Sequence, residues 1–101
     1  ILTTTEEKVS VNISDIDYIE VYGHYLTYCV NNKKYTVRQT LSDAENKLAK
    51  FGFSRINKFN IINMRKISKF IGDDVYIKDV VLKVSRSRKQ EFKKELVKNY
   101  V

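Results

Sequence analysis

Ser54-Arg55-Ile56-Asn57-Lys58-Phe59-Asn60-Ile61-Ile62-Asn63 is the stretch on which the reading of this chain turns. Ile56, Phe59, Ile61 and Ile62 supply enough apolar surface to bury a short bent strand. Arg55, Asn57, Lys58, Asn60 and Asn63 put hydrogen-bond donors along the same few residues. That mixture suits a core strand whose outer edge meets an anionic, hydrogen-bonding partner. A buried strand with asparagines at irregular turns accounts for it equally well, so the surrounding sequence has to decide.

Charge is the first thing the surroundings add. Residues 1–50 carry six Lys/Arg against seven Asp/Glu, whereas residues 51–101 carry thirteen against five, and the whole chain is +7. The stretch therefore opens a strongly basic half, the kind of surface that favours nucleic acid, anionic membrane or heparin-like chains. At 101 residues with 43% hydrophobic content, the chain is one ordinary globular domain with a modest core. No apolar run approaches membrane-spanning length, so no membrane partner is expected. One cysteine (Cys29) and one histidine (His24) cannot build a structural zinc site or an internal disulfide. No metal or cofactor is expected, and a reducing, cytoplasmic compartment is the economical inference. The chain begins with Ile, which reads as a piece cut from something longer.

On the N-terminal side, residues 1–7 read as a linker remnant or a fraying first strand, with the domain proper at 8–101. Val9, Val11 and Ile13 alternate with polar residues, the period of a half-buried strand. Tyr18–Tyr22 and Tyr25–Val30 follow as strands joined at Gly23-His24, and Asn31-Asn32 predicts a tight hairpin into 34–38. Leu41, Ala44, Leu48 and Phe51 line one side of a helix, with Ser42 and Glu45 as a capping box and Gly52 as its end. Strand character returns through Phe53–Ile62. On the C-terminal side three short strands are expected at 67–71, 75–77 and 80–84, with turns at Gly72-Asp73-Asp74 and Lys78-Asp79. A last helix shows Ser87 and Gln90 as a second capping box and Phe92, Leu96 and Tyr100 as its buried stripe. The fold class expected is mainly β with two short helices.

Enzyme chemistry finds little support. His24 has no Cys or Ser partner at a motif spacing, Cys29 alternates within an apolar strand, and Asp73-Asp74 reads as an exposed turn. Binding has more. Ser85-Arg86-Ser87-Arg88-Lys89 lies where a strand hands over to a helix, where free amides and two arginines attract phosphate. Arginines at a helix start also occur with no such role. The seven tyrosines fall mostly at strand positions where an aromatic packs, so base stacking is a minor idea.

Asp15-Ile16-Asp17-Tyr18-Ile19-Glu20 followed by Gly23-His24-Tyr25-Leu26 resembles the opening of the LytTR family of bacterial DNA-binding domains. Leu41 with its helix, Phe53-Ser54-Arg55-Ile56, Ile61-Ile62-Asn63 and Val84-Ser85-Arg86-Ser87-Arg88-Lys89 resemble later pieces of the same family, in order and spacing, over roughly residues 8–98. The resemblance implies about ten short strands in antiparallel sheets. It also implies the output domain of a two-component response regulator, with a receiver domain upstream. Its partner would be double-stranded DNA with tandem repeat sites, bound as a dimer and read by loops. By position the base contacts would be His24, Lys58 and Arg86, with Asn57, Asn60, Arg88 and Lys89 as phosphate or supporting residues. The central segment departs from the family pattern of His, a basic or Asn residue, Ser and an aromatic. Here the order is Asn57, Lys58, Phe59, Asn60, and Phe59 cannot replace a phosphate-binding Ser. A reading from another class is a small basic β module that docks on anionic lipid or on a protein partner.

Overall fold

The computed structural model describes residues 2–4 and 7–99. Its frame is a five-stranded antiparallel sheet in the order β5-β4-β3-β7-β6: β3 is Ile16–Tyr22, β4 Tyr25–Val30, β5 Lys33–Val37, β6 Phe53–Arg55 and β7 Asn60–Asn63. Asn31 and Asn32, both at positive φ (47° and 70°), make the β4–β5 turn, the left-handed pair that a two-residue hairpin requires. Both faces of this sheet are covered, so β7 is buried at all four residues and shows no alternation in its sequence.

One face packs on α1 (Leu41–Leu48). Leu41, Ala44 and Leu48 meet Ile16, Ile19, Leu26, Tyr28, Val30, Val37, Phe53 and Ile61 there. The other face packs Tyr18, Cys29, Ile56, Ile62 and Met64 against a second unit. That unit is a three-stranded sheet, β8 (Lys69–Ile71), β9 (Asp74–Ile77) and β10 (Val80–Lys83), with α2 (Lys89–Asn99) beside it. Val75, Ile77, Val84 and Phe92 are its buried contribution. A two-stranded ribbon of β1 (Leu2–Thr3) and β2 (Lys8–Val9) completes the ten strands.

Ile16 and Ile19, three apart, would point to opposite faces of a regular strand. The pairing with β4 shifts between Ile16 and Tyr18, and this bulge at Asp17 brings both isoleucines to the α1 face. Asp17 itself is 3% exposed. Lys78 Nζ lies 2.9 Å from one of its oxygens and Lys66 Nζ 3.7 Å from the other, so the carboxylate ties β3 to the smaller sheet. Buried asparagines tie the frame as well: Asn63 Nδ2 donates to Ile16 O at 2.9 Å, and its Oδ1 accepts from the Arg65 N–H at 3.1 Å. Burial pushes the Tyr28 phenol up to about 12, against the opposing effect of its bond to Gln39, and raises the Tyr18 phenol and the Cys29 thiol too. A thiol so placed packs rather than reacts.

Several expectations are corrected. Residues 53–62 form not one bent strand but the hairpin β6–β7, closed by Ile56 N–H donating to Asn60 O at 3.1 Å. Phe59 is 54% exposed rather than core. The expected strand at 9–13 pairs, among the described residues, only at Lys8–Val9 and gives way to a 3₁₀ turn at Ile13–Asp15. Thr40, not Ser42, caps α1, its hydroxyl accepting from the Asp43 N–H at 3.1 Å. Starting the helix at Leu41 is what turns that side chain into the core. Phe51 falls beyond α1 in a 3₁₀ turn that ends at Gly52 (φ 84°), and it stays 38% exposed. Ser87 caps nothing: it sits inside a 3₁₀ turn, Arg86–Arg88, with its hydroxyl 3.3 Å from that of Ser85. Phe92 and Leu96 do face the core, and Tyr100 lies outside the described residues.

Candidate nucleic-acid interface

Three connections meet at one end of the five-stranded sheet. The β3–β4 turn carries Gly23-His24, and Gly23 supplies the positive φ (59°) that it needs. The β6–β7 loop, residues 56–59, lies against it, because Val21 N–H donates to Phe59 O at 2.9 Å. On the other side of that loop is the corner between β10 and α2, where Ser85 N–H donates to Ile56 O at 2.8 Å. The middle loop is thus held from both flanks.

Asn57 fixes its shape. Its Nδ2 donates to Lys83 O at 2.7 Å, and its Oδ1 accepts from the Phe59 N–H at 2.7 Å, an Asx-type turn. Arg55 reaches back under the loop, donating to Asn57 O at 3.3 Å and Lys58 O at 3.4 Å. Arg88 donates to Arg55 O at 3.4 Å. Every carbonyl from Arg55 to Phe59 therefore has a donor from inside the protein. With its acceptors used internally, the loop offers an incoming anion the Lys58 ammonium and the Phe59 ring rather than carbonyl oxygens. Glu45 of α1 steadies the arrangement from below, 3.4 Å from Arg55 Nη1 and 3.5 Å from Arg88 Nη1, which is the work its carboxylate does in place of a capping box.

The seven candidate residues divide cleanly. His24, Lys58 and Arg86 are exposed, one on each of the three connections. None makes an ion pair among the described residues, and Lys58 lies over the ring of its neighbour Phe59 at 5.3 Å. The other four are engaged within the fold. Asn57 staples the loop, and buried Asn60 donates to Ile19 O at 3.5 Å. Arg88 pairs with Glu45, and Lys89 pairs with Asp73, holding that carboxyl below its usual range by the hydrogen bond it donates.

Two further residues reach this end without having been singled out in the sequence. Arg38 follows β5, whose Val37 pairs with Leu26, so it stands beside the start of β4, exposed. Tyr22, at the end of β3, is 73% exposed. Strand alternation marks neither, and only the pairing register brings them to the loop end. Among the described residues no group of three or more His, Cys, Asp or Glu could hold a metal ion, and no helix is long and apolar enough to cross a membrane.

A family model described as the LytTr DNA-binding domain matches residues 6–97. Among matching solved structures is the LytTr DNA-binding domain of a protein described as a methyl-accepting/DNA response regulator from Bacillus cereus. It is 24% identical, the match covers 94% of this chain and 93% of that one, and the TM-score is 0.83, a likeness of fold. No curated protein matches.

Proposed function

The chain belongs to the LytTR family of DNA-binding domains, and from that premise we propose that it binds double-stranded DNA sequence-specifically through its loop end. His24, Lys58 and Arg86 are the side chains assigned to base edges. Arg86 carries the planar fork that matches guanine O6 and N7. Asn57, Asn60, Arg88 and Lys89 support them by fixing the loop and corner from which they project. In this reading the domain is the output half of a two-component response regulator. A receiver domain lies upstream, and two copies sit on tandem repeat sites in the cytoplasm.

The observation that carries the proposal is the middle loop, whose carbonyls are satisfied internally while the Lys58 ammonium is exposed on it and His24 and Arg86 are exposed on the two flanking connections. Such an end attracts phosphate without presenting competing acceptors. Selection from random duplexes, followed by binding at several salt concentrations, tests it. The expected result is a defined consensus and a log K against log salt slope of about −4 to −5, for about five neutralised phosphates. Binding to acidic vesicles with no preference among duplexes would instead favour a lipid-docking module, and binding to neither a protein-docking one.

A further inference from the structure

Between the 56–59 loop and the 85–88 corner runs an open groove. Lys58 and Phe59 form one wall, Lys83, Ser85 and Ser87 the other, and Asn57 spans the two through its bond to Lys83 O. No carboxylate lines it. We propose that this groove seats one sugar–phosphate strand of a DNA duplex, with the Phe59 ring against a deoxyribose. The assignment rests on the DNA-binding reading above and adds a subsite to it.

Phe59 is the reason to look here. Its N–H is taken by Asn57 Oδ1 and its carbonyl by Val21 N–H, at 2.7 and 2.9 Å, yet its ring is 54% exposed. A backbone held at both polar groups presents that ring in a fixed place, where little conformational entropy is lost on contact. An exposed aromatic is a poor partner for phosphate and a good one for the C–H face of a sugar. The Lys58 ammonium and the Ser85 and Ser87 hydroxyls beside it supply donors for flanking phosphates, while Lys83, also in the lining, rests 3.6 Å from Asp74. Lys58 lines the groove, and Arg86 is exposed at the corner between the lining residues Ser85 and Ser87.

Every deoxyribose presents the same face, so the contact adds affinity without sequence information. Phe59→Ala and Phe59→Leu in the whole chain, titrated against the selected duplex and a random one, test this. Phe59→Ala should weaken both duplexes alike by roughly tenfold, the loss expected when an apolar ring is no longer buried. The uncharged ring leaves the salt slope unchanged. The selected consensus and the melting temperature should also stay as they are, and Phe59→Leu should recover part of the loss. A Phe59→Ala protein that binds as tightly as wild type overturns the groove alone. A loss confined to the selected duplex, with a changed consensus at one base pair, also overturns it and makes the ring a base reader. Wild-type protein that binds no duplex overturns the groove together with the DNA-binding reading.

Discussion

At the Ile16 end of β3 two lysines close over a carboxylate that is 3% exposed; at the Tyr22 end Lys58, Arg86 and Arg38 stand exposed with no ion-pair partner among the described residues. The same strand thus has one end where positive charge is neutralised and one where it is left open. Lys66 and Lys78 are structural because Asp17 cannot be buried alone: an isolated carboxylate out of water would be prohibitively costly. The cations of the loop end carry no such debt to the core, so their charge is available to a partner. The high net charge of the second half is therefore a poor guide to where a partner binds. What matters is which cations the fold has not already matched with an acid, and near the loop end Glu45, Asp73 and Asp74 take Arg55, Arg88, Lys89 and Lys83 out of that set.

The largest effect expected is at the closed end. Asp17→Ala should cost about 3 kcal/mol of stability in urea unfolding, the low end for breaking a buried pair, because both lysines can still reach water. The affinity of the folded variant for DNA should stay within roughly twofold of wild type, since Asp17 and the loops are separated by most of β3. A loss of affinity in fully folded Asp17→Ala protein would break the contrast between the two ends.

Next comes Arg86, where the effect moves from stability to recognition. Arg86→Lys keeps the charge and loses the fork, so preference at one base pair should relax by a factor of roughly 5 to 150, while affinity for random duplex and the melting temperature hold. Binding-site selection on the variant, beside its thermal melt, measures both. An unaltered consensus from the folded variant removes Arg86 from base reading.

How far the sequence could foresee this depends on the distance between partners. β4 and the Asn31-Asn32 turn were legible because alternation and turn chemistry are local; Gly52 was legible as a stop for the same reason, but α1 itself ends at Leu48 and a 3₁₀ turn carries the chain on to Gly52. The β6–β7 hairpin was not: β7 is buried at all four residues and β6 is only three residues long, so no period separates two short strands from one bent one. Phe59 read as core because composition cannot tell an aromatic that is packed from one held out by its neighbours. Thr40 and Ser42 are both able caps, and the core position of Leu41 chooses between them. For the site, the three exposed candidates came from the resemblance. That Arg88 faces Arg55 and Glu45, or that Asn57 spans to Lys83, depends on contacts between residues 26 or more apart, which local pattern does not carry.

A smaller effect tests whether the middle loop is preformed. Asn57→Ala removes both the donor to Lys83 O and the acceptor of the Phe59 N–H. The loop backbone lies near water, so about 1 kcal/mol of stability should be lost. Affinity should fall for selected and random duplex together, because a loosened loop must be ordered again on binding. Unchanged affinity would mean that Lys58 needs no scaffold, and that the open end owes its properties to charge alone.

Lys89 should show the smallest effect, and it marks the border between the two kinds of cation. It lies at the corner of the open end, yet it hydrogen-bonds Asp73 and lowers that carboxyl below its usual range. A carboxylate with a depressed value contributes stability above its unfolded range and loses it as pH falls through the folded value, so at neutral pH this pair is intact. A phosphate would have to displace a resident partner to recruit Lys89. Both groups of the pair are partly exposed, so Lys89→Ala should shift the melting temperature by only a few degrees. The slope of log K against log salt should stay where it is. A slope flattened by about one unit would instead place a phosphate on Lys89, with Asp73 as its resting partner in the absence of DNA. Measuring Asp73→Asn in the same titration separates the cases. Freeing a lysine that is already silent should leave the slope unchanged, whereas freeing one in competition for phosphate should raise affinity for selected and random duplex alike.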